Sequence, residues 1–196
     1  MWASIKGYTS IVEILLKSGC NVNTKNNFNN TPLVWASKYN HISVIEVLLK
    51  AGVDKDAQNN DKKTALICAI ENNNIEAVEV LLKAGVNKEI KDQCGNTALV
   101  CASFKGNTSI VKLLLEAGCD VNVENHYGDT TLSRASKNNH TLVVELLLKF
   151  GADKDTQDIN GNTALISAVE NDNIEIVETL LKAGANREIK NRYNNM

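Results

Sequence analysis

The amino-acid sequence predicts an all-α fold, a solenoid of stacked helix-turn-helix units with projecting β-hairpin-like loops. Three observations lead there. Glycines stand at Gly19, Gly52, Gly85, Gly118, Gly151 and Gly184, 33 residues apart each time, and a fixed period of that length marks a repeat architecture. Each glycine follows the same apolar pattern, from Ile14-Leu15-Leu16 and Val47-Leu48-Leu49 through to Thr179-Leu180-Leu181. The helical segments inside each unit are too short to be stable alone in water, so each must bury its apolar stripe on the next unit.

The unit Thr31 to Lys63 shows how the residues specify each element. Thr31 is a good N-cap, because its hydroxyl can accept a hydrogen bond from an otherwise orphaned N–H. Pro32 follows at the first helical position, where a missing N–H costs nothing. Leu33 and Ala36 mark the buried side of a first helix that ends near Tyr39-Asn40. Val44, Val47 and Leu48 then recur at helical spacing on one face of a second helix. Gly52 closes it with a left-handed cap, a conformation that strains any side chain. The polar stretch from Asp54 to Lys63 has the composition of a projecting loop. Small residues at Ala3, Ala36, Ala69, Ala102, Ala135 and Ala168 suit close helix packing. The repeats run over 1–30, 31–63, 64–96, 97–129, 130–162 and 163–195, in a single domain spanning 1–196.

These residues resemble the ankyrin repeat, whose pattern is roughly T-P-L-H-x-A, a turn, I-V-x-x-L-L, then G-A-D-V-N. The sequence reads Thr31-Pro32-Leu33-Val34-Trp35-Ala36, then Val44-Ile45-Glu46-Val47-Leu48-Leu49, and in another copy Gly118-Cys119-Asp120-Val121-Asn122. The resemblance covers essentially the whole chain. Two departures stand out: the histidine after T-P-L is replaced by Val34, Ile67, Val100, Ser133 and Ile166, and proline survives only as Pro32. They bear on a hydrogen-bond network typical of the family rather than on the fold.

A longer period is superimposed. Ala3-Ser4-Ile5-Lys6-Gly7 returns 99 residues later as Ala102-Ser103-Phe104-Lys105-Gly106, with more than half of all positions identical at that offset. Duplication of a three-repeat block explains it. Met1-Trp2-Ala3-Ser4 aligns with Val34-Trp35-Ala36-Ser37, so the first repeat lacks its Thr-x-Leu. Solenoids usually finish on atypical polar repeats, and neither end changes in this way. The expectation is a piece of a longer array.

Composition narrows the function. A net charge of −2 offers no concentrated basic surface for nucleic acid or an anionic membrane. The apolar runs fall far short of a membrane span, and the N-terminus has no secretory pattern. The expected compartment is the cytoplasm, with the nucleus or delivery as a secreted effector left open. Five cysteines form no C-x-x-C pair and no zinc-type cluster. Cys68 and Cys101, equivalent residues of adjacent repeats, should stand about 8–10 Å apart, the spacing of packed helices. That is too far for a disulfide. Cys94, near a loop tip, is the expected exposed thiol.

No catalytic constellation emerges, and no cofactor or metal is implied. His41 and His140 occupy the turn before the second helix, while His126 reads as a solvated loop residue. Repeated carboxylates such as Asp54 and Asp56 read as a solvated face. The chain is therefore expected not to be an enzyme.

The aromatic residues point elsewhere. The resemblance implies that loop tips and first helices together make a concave binding face, which here carries Phe28, Trp35, Tyr39, Phe104, Tyr127 and Arg134. Aromatic residues and arginine dominate binding energy at protein interfaces. Trp35 and Tyr39, four apart, share one helix face. The expected function is a protein–protein interaction module with a protein partner, no nucleic acid and no membrane insertion. The alternative is a structural spacer, or a recruiting arm, within a longer multidomain chain. A monomer is expected, with end-to-end self-association of the uncapped array as its route to larger species.

Overall fold

The computed structural model describes residues 1–194; the expected repeat end at Asn195 lies outside them. Among the described residues there are twelve helices and no strand. They fall into two compact units, Met1–Gln93 and Cys94–Met196. The first unit contains α1 (Trp2–Lys6), α2 (Thr9–Lys17), α3 (Pro32–Lys38), α4 (Ile42–Lys50), α5 (Ala65–Glu71) and α6 (Ile75–Lys83). The second contains α7 (Ala98–Lys105), α8 (Thr108–Glu116), α9 (Thr131–Lys137), α10 (Thr141–Lys149), α11 (Ala164–Glu170) and α12 (Ile174–Lys182).

Within each unit the first helices pack on first helices and the second on second. Thus α3 lies against α1 and α5, and α4 against α2 and α6; α9 lies against α7 and α11, and α10 against α8 and α12. The small side chains make this possible: Ala36, Ala69, Ala102, Ala135 and Ala168 are fully buried. Leu33, Leu66, Leu99 and Leu132 are at most 1% exposed. Burying one such leucine contributes about 1.5–3 kcal/mol.

The caps follow the sequence pattern. The hydroxyls of Thr31, Thr64 and Thr163 accept from the N–H of Val34, Ile67 and Ile166. Thr130 goes further: its hydroxyl accepts from the Ser133 N–H, and Ser133 Oγ accepts from the Thr130 N–H. Ser133 stands where the family has histidine, so that departure closes a local box instead. The six glycines that set the period all have φ between +70° and +83°.

The loops are hairpin-like in hydrogen bonding but form no ladder. In one, Asn26 N–H donates to Asn30 O and Asn29 N–H to Asn26 O. The side chains of Asn26, Asn59, Asn125 and Asp158 also accept from the backbone N–H groups two and four residues on. Neighbouring loops are tied together by Asn60 N–H to Phe28 O in the first unit and Ile159 N–H to Tyr127 O in the second.

Two expectations are corrected here. Asp56 and Asp155 are more than a solvated face, because each carboxylate accepts from the next repeat's backbone, at Asn87 N–H and Asn186 N–H (2.8 Å each). The exposed thiol is Cys20, whereas Cys94 is only half-exposed. Val53 and Val86, at the position equivalent to Cys20, are 8% and 7% exposed. None of the five cysteines is in a disulfide.

Candidate functional site

In the first unit, α3 projects three side chains at i, i+3 and i+4 onto one face. The rings of Trp35 and Tyr39 stack almost parallel, with centroids 5.9 Å apart and planes 6° apart. The ammonium of Lys38 sits over both, 5.3 Å from the Trp35 ring and 5.9 Å from the Tyr39 ring. Attraction of a cation to a π face holds it there. Tyr39 remains 47% exposed, while Trp35 is half-buried with its indole Nε1 enclosed and lacking an acceptor. Phe28, at a loop tip, is 67% exposed.

The next repeat anchors this helix end. Asn74 Nδ2 donates to the carbonyls of Ser37 (2.9 Å) and Lys38 (2.8 Å). Beyond Lys38, Lys63 pairs with Glu71 at 2.7 Å. Burial alone would lower the Lys63 pKa, but the hydrogen bond and charge of Glu71 outweigh it and hold the pKa above its ordinary value. Cys68 lies on the same side of α5, within the field of Lys38, Lys63 and Glu71. Burial, with the Glu71 charge adding to it, pushes this thiol up to about 12, so it is an inert neighbour rather than a nucleophile.

In the second unit, Phe104 and Arg134 come together. The guanidinium stands 5.3 Å from the Phe104 ring centre, and its Nε lies 3.3 Å from Asp129 Oδ2. That N–H is not aimed along a hydrogen bond, so the contact is an ion pair rather than a fork. The carbonyl of Phe104 is held by His140 Nε2 at 3.0 Å. Tyr127, on a loop tip, is 50% exposed.

Within each unit the sequence-derived residues gather unevenly. Trp35 and Tyr39 touch each other, and Phe104 touches Arg134. Phe28 and Tyr127 stand at loop tips. Lys38 joins Trp35 and Tyr39 on this face, and its position in the sequence between the two ring residues was the available signal. His126 is exposed, as expected. Among the described residues, no cluster of three or more His, Cys, Asp or Glu side chains is placed to hold a metal. No helix among them is long and apolar enough to cross a membrane.

Stacked helical pairs, left-handed glycine caps and tied loops match a known pattern. Residues 1–92, 51–125, 75–158 and 99–191 fit the family model described as ankyrin repeats in three copies. The chain belongs to the ankyrin-repeat family. Its ankyrin fold is similar to that of the ankyrin repeat domain of Bcl-3, a member of the IkappaB protein family. That match has a TM-score of 0.89 and 30% identity, covering 99% of this chain and 89% of that one. It is similar also to an ankyrin repeat domain from Acinetobacter baumannii AYE, with a TM-score of 0.88 and 28% identity. There the coverage is 94% of this chain and 97% of that one. No curated protein sequence matches the chain. Ankyrin repeats are in general protein–protein interaction modules, and the fold is in general a non-enzymatic scaffold.

Proposed function

We propose that this ankyrin-repeat chain works inside the cell as a non-enzymatic binding module. Its partner is a protein, taken on the face made by first helices and loop tips. The residues are Phe28, Trp35 and Tyr39 in the first unit, and Phe104, Tyr127 and Arg134 in the second. One observation carries the reading: the rings of Trp35 and Tyr39 stack on each other, yet Tyr39 is 47% exposed. A rigid, half-exposed aromatic pair offers contact area at little cost in conformational entropy. The guanidinium over Phe104 provides a second such anchor.

The test is affinity capture from lysate with mass-spectrometric identification. It compares the parent chain with Trp35→Ala/Tyr39→Ala/Phe104→Ala, after circular dichroism shows that both fold. A partner held by the parent and lost by the variant supports the reading. Equal capture by both, or by neither, moves the site away from these aromatic residues.

A further inference from the structure

The charges on the first-helix faces differ in sign from the chain as a whole. The chain carries a net charge of −2, yet the exposed ends of α1 and α3 present Lys6 and Lys38. Those of α7 and α9 present Lys105, Arg134 and Lys137. Of the acidic groups on the same helices and their loops, Glu71 pairs with Lys63 at 2.7 Å and Asp129 with Arg134 at 3.3 Å, while Glu170 at the end of α11 is exposed, so each unit keeps an excess of basic over acidic side chains on its first helices. Among the described residues, no ion pair reaches Lys6, Lys38, Lys105 or Lys137. Lys38 is instead held against two aromatic rings, where an ammonium stays in place with its remaining N–H groups available to an acceptor. The 99-residue duplication adds an independent comparison. Lys6 and Lys38 recur as Lys105 and Lys137, although their neighbours have changed from Trp35 to Arg134 and from Tyr39 to Asn138. The two units keep a basic face and differ in the anchor beside it.

Resting on the binding face put forward above, we propose that the partner presents acidic segments. Each combines carboxylate side chains with an aromatic or aliphatic anchor. In the first unit Lys38 takes the carboxylate while the Trp35–Tyr39 stack takes the anchor. In the second, Lys137 and the Arg134 guanidinium take the carboxylate beside Phe104. An excess of positive charge on the first helices selects its complement and disfavours basic sequences.

The experiment selects a phage-displayed library of random linear peptides on the 196-residue chain. Affinities of the recovered peptides are then measured at low and high salt. We expect Asp and Glu next to an aromatic or aliphatic residue in the recovered peptides, with affinity falling as salt rises. Lys38→Glu or Lys137→Glu should weaken binding roughly tenfold. Lys50→Glu, at the exposed end of the second helix α4, should leave it unchanged. Circular dichroism confirms that each variant folds. Peptides with no acidic excess that are nevertheless lost on Trp35→Ala or Phe104→Ala would overturn the acidic partner while leaving the face itself intact. Peptides indifferent to the aromatic substitutions would overturn both, and a library that yields no binder overturns the acidic partner.

Discussion

At the residue scale, one pair of positions shows how repeats are fitted to their neighbours. His41 Nε2 lies 2.9 Å from the carbonyl of Ile5, and since a carbonyl only accepts, this nitrogen carries the proton. The ring fills the space that a Cβ on Gly7 would need, with Nδ1 2.6 Å from that point. His140 stands in the same relation to Gly106. Where the preceding repeat carries asparagine instead, at Asn40 and Asn139, the following position holds the shorter Asn74 and Asn173. These reach the carbonyls of Ser37, Lys38 and Ser136 through their amides. A ring follows glycine, and an amide follows asparagine. Gly106 and Gly118 both sit in the left-handed region, at φ +73° and +77°, but nothing lies within 4 Å of a Cβ built on Gly118. Gly118→Ala should therefore cost about 1 kcal/mol, through backbone strain alone. Gly106→Ala should cost clearly more, because strain and the collision with His140 add. Adding His140→Asn should recover part of the difference. Thermal denaturation of the two single variants and the double variant checks this. Equal losses at both glycines would remove the steric account. Gly118→Val should lose at least as much as Gly118→Ala.

At the scale of elements, the loops hold more stability than their composition suggests. Asn125 is 7% exposed. Its Oδ1 accepts from the N–H groups of Tyr127 and Asp129, and its Nδ2 donates to Asn96 Oδ1 at 3.0 Å. Asn125→Ala removes the acceptor of the half-buried Tyr127 N–H and the buried Asp129 N–H and should cost about 1–3 kcal/mol. Asn125→Asp keeps the acceptor and should cost less. Urea denaturation reads both, and equal losses would mean that the two N–H groups find other partners. This is where the sequence ran out. Helix starts and stops were legible because threonine, proline and glycine act on their own neighbours, and their geometry needs no tertiary partner. The bonds that tie loop to loop join residues 29 to 33 apart, such as Asn59 to Asn30, Asn87 to Asp56 and Gln58 to Lys91. In so asparagine-rich a chain, no local pattern separates them from solvated residues. The site was legible to a similar depth. Trp35 and Tyr39 shared a face by spacing, but the seat of Lys38 over both rings depends on side-chain conformation. Cys20 and Cys94 were misjudged because exposure depends on which repeat covers the position. Labelling with a thiol reagent at neutral pH should therefore modify Cys20 first. Cys68, buried and pushed up to about 12, should be among the last. Modification of Cys68 ahead of Cys20 would contradict the burial pattern.

At the scale of the whole molecule, the same stacking that buries each repeat leaves apolar surface where a stack stops. Ile11, Ile14 and Leu15 on α2 are 47%, 62% and 40% exposed. Val44 and Leu48, the counterparts of Ile11 and Leu15 in the next repeat, are 0% and 1% exposed. Beside them opens a cavity of about 180 Å³, lined by Met1, Val12, Leu15, Leu16, Pro32 and Leu48 among others. On the second unit, Val169 and Ile174 are 49% and 67% exposed. Contiguous apolar surface of this kind drives association. The two surfaces differ, so a contact between one copy's first repeat and another's last is heterologous rather than isologous. The 99-residue duplication favours that pairing, because the sixth repeat resembles the third, and the first the fourth. An end of one copy thus meets, at the start of another, a sequence similar to the one that follows its counterpart within the chain. Sedimentation velocity should show a monomer at low concentration and a weight-average mass that rises with concentration. Ile14→Lys and Ile174→Lys should each suppress the rise, because a charge buried without a partner is costly. A constant monomer mass at every concentration would show that these ends do not associate. A plateau at the dimer would replace the heterologous pairing by a symmetric one. The single-domain reading of 1–196 is tested in the same samples at the lowest concentration, where calorimetry should record one unfolding transition. Two transitions would make Met1–Gln93 and Cys94–Met196 separate folding units.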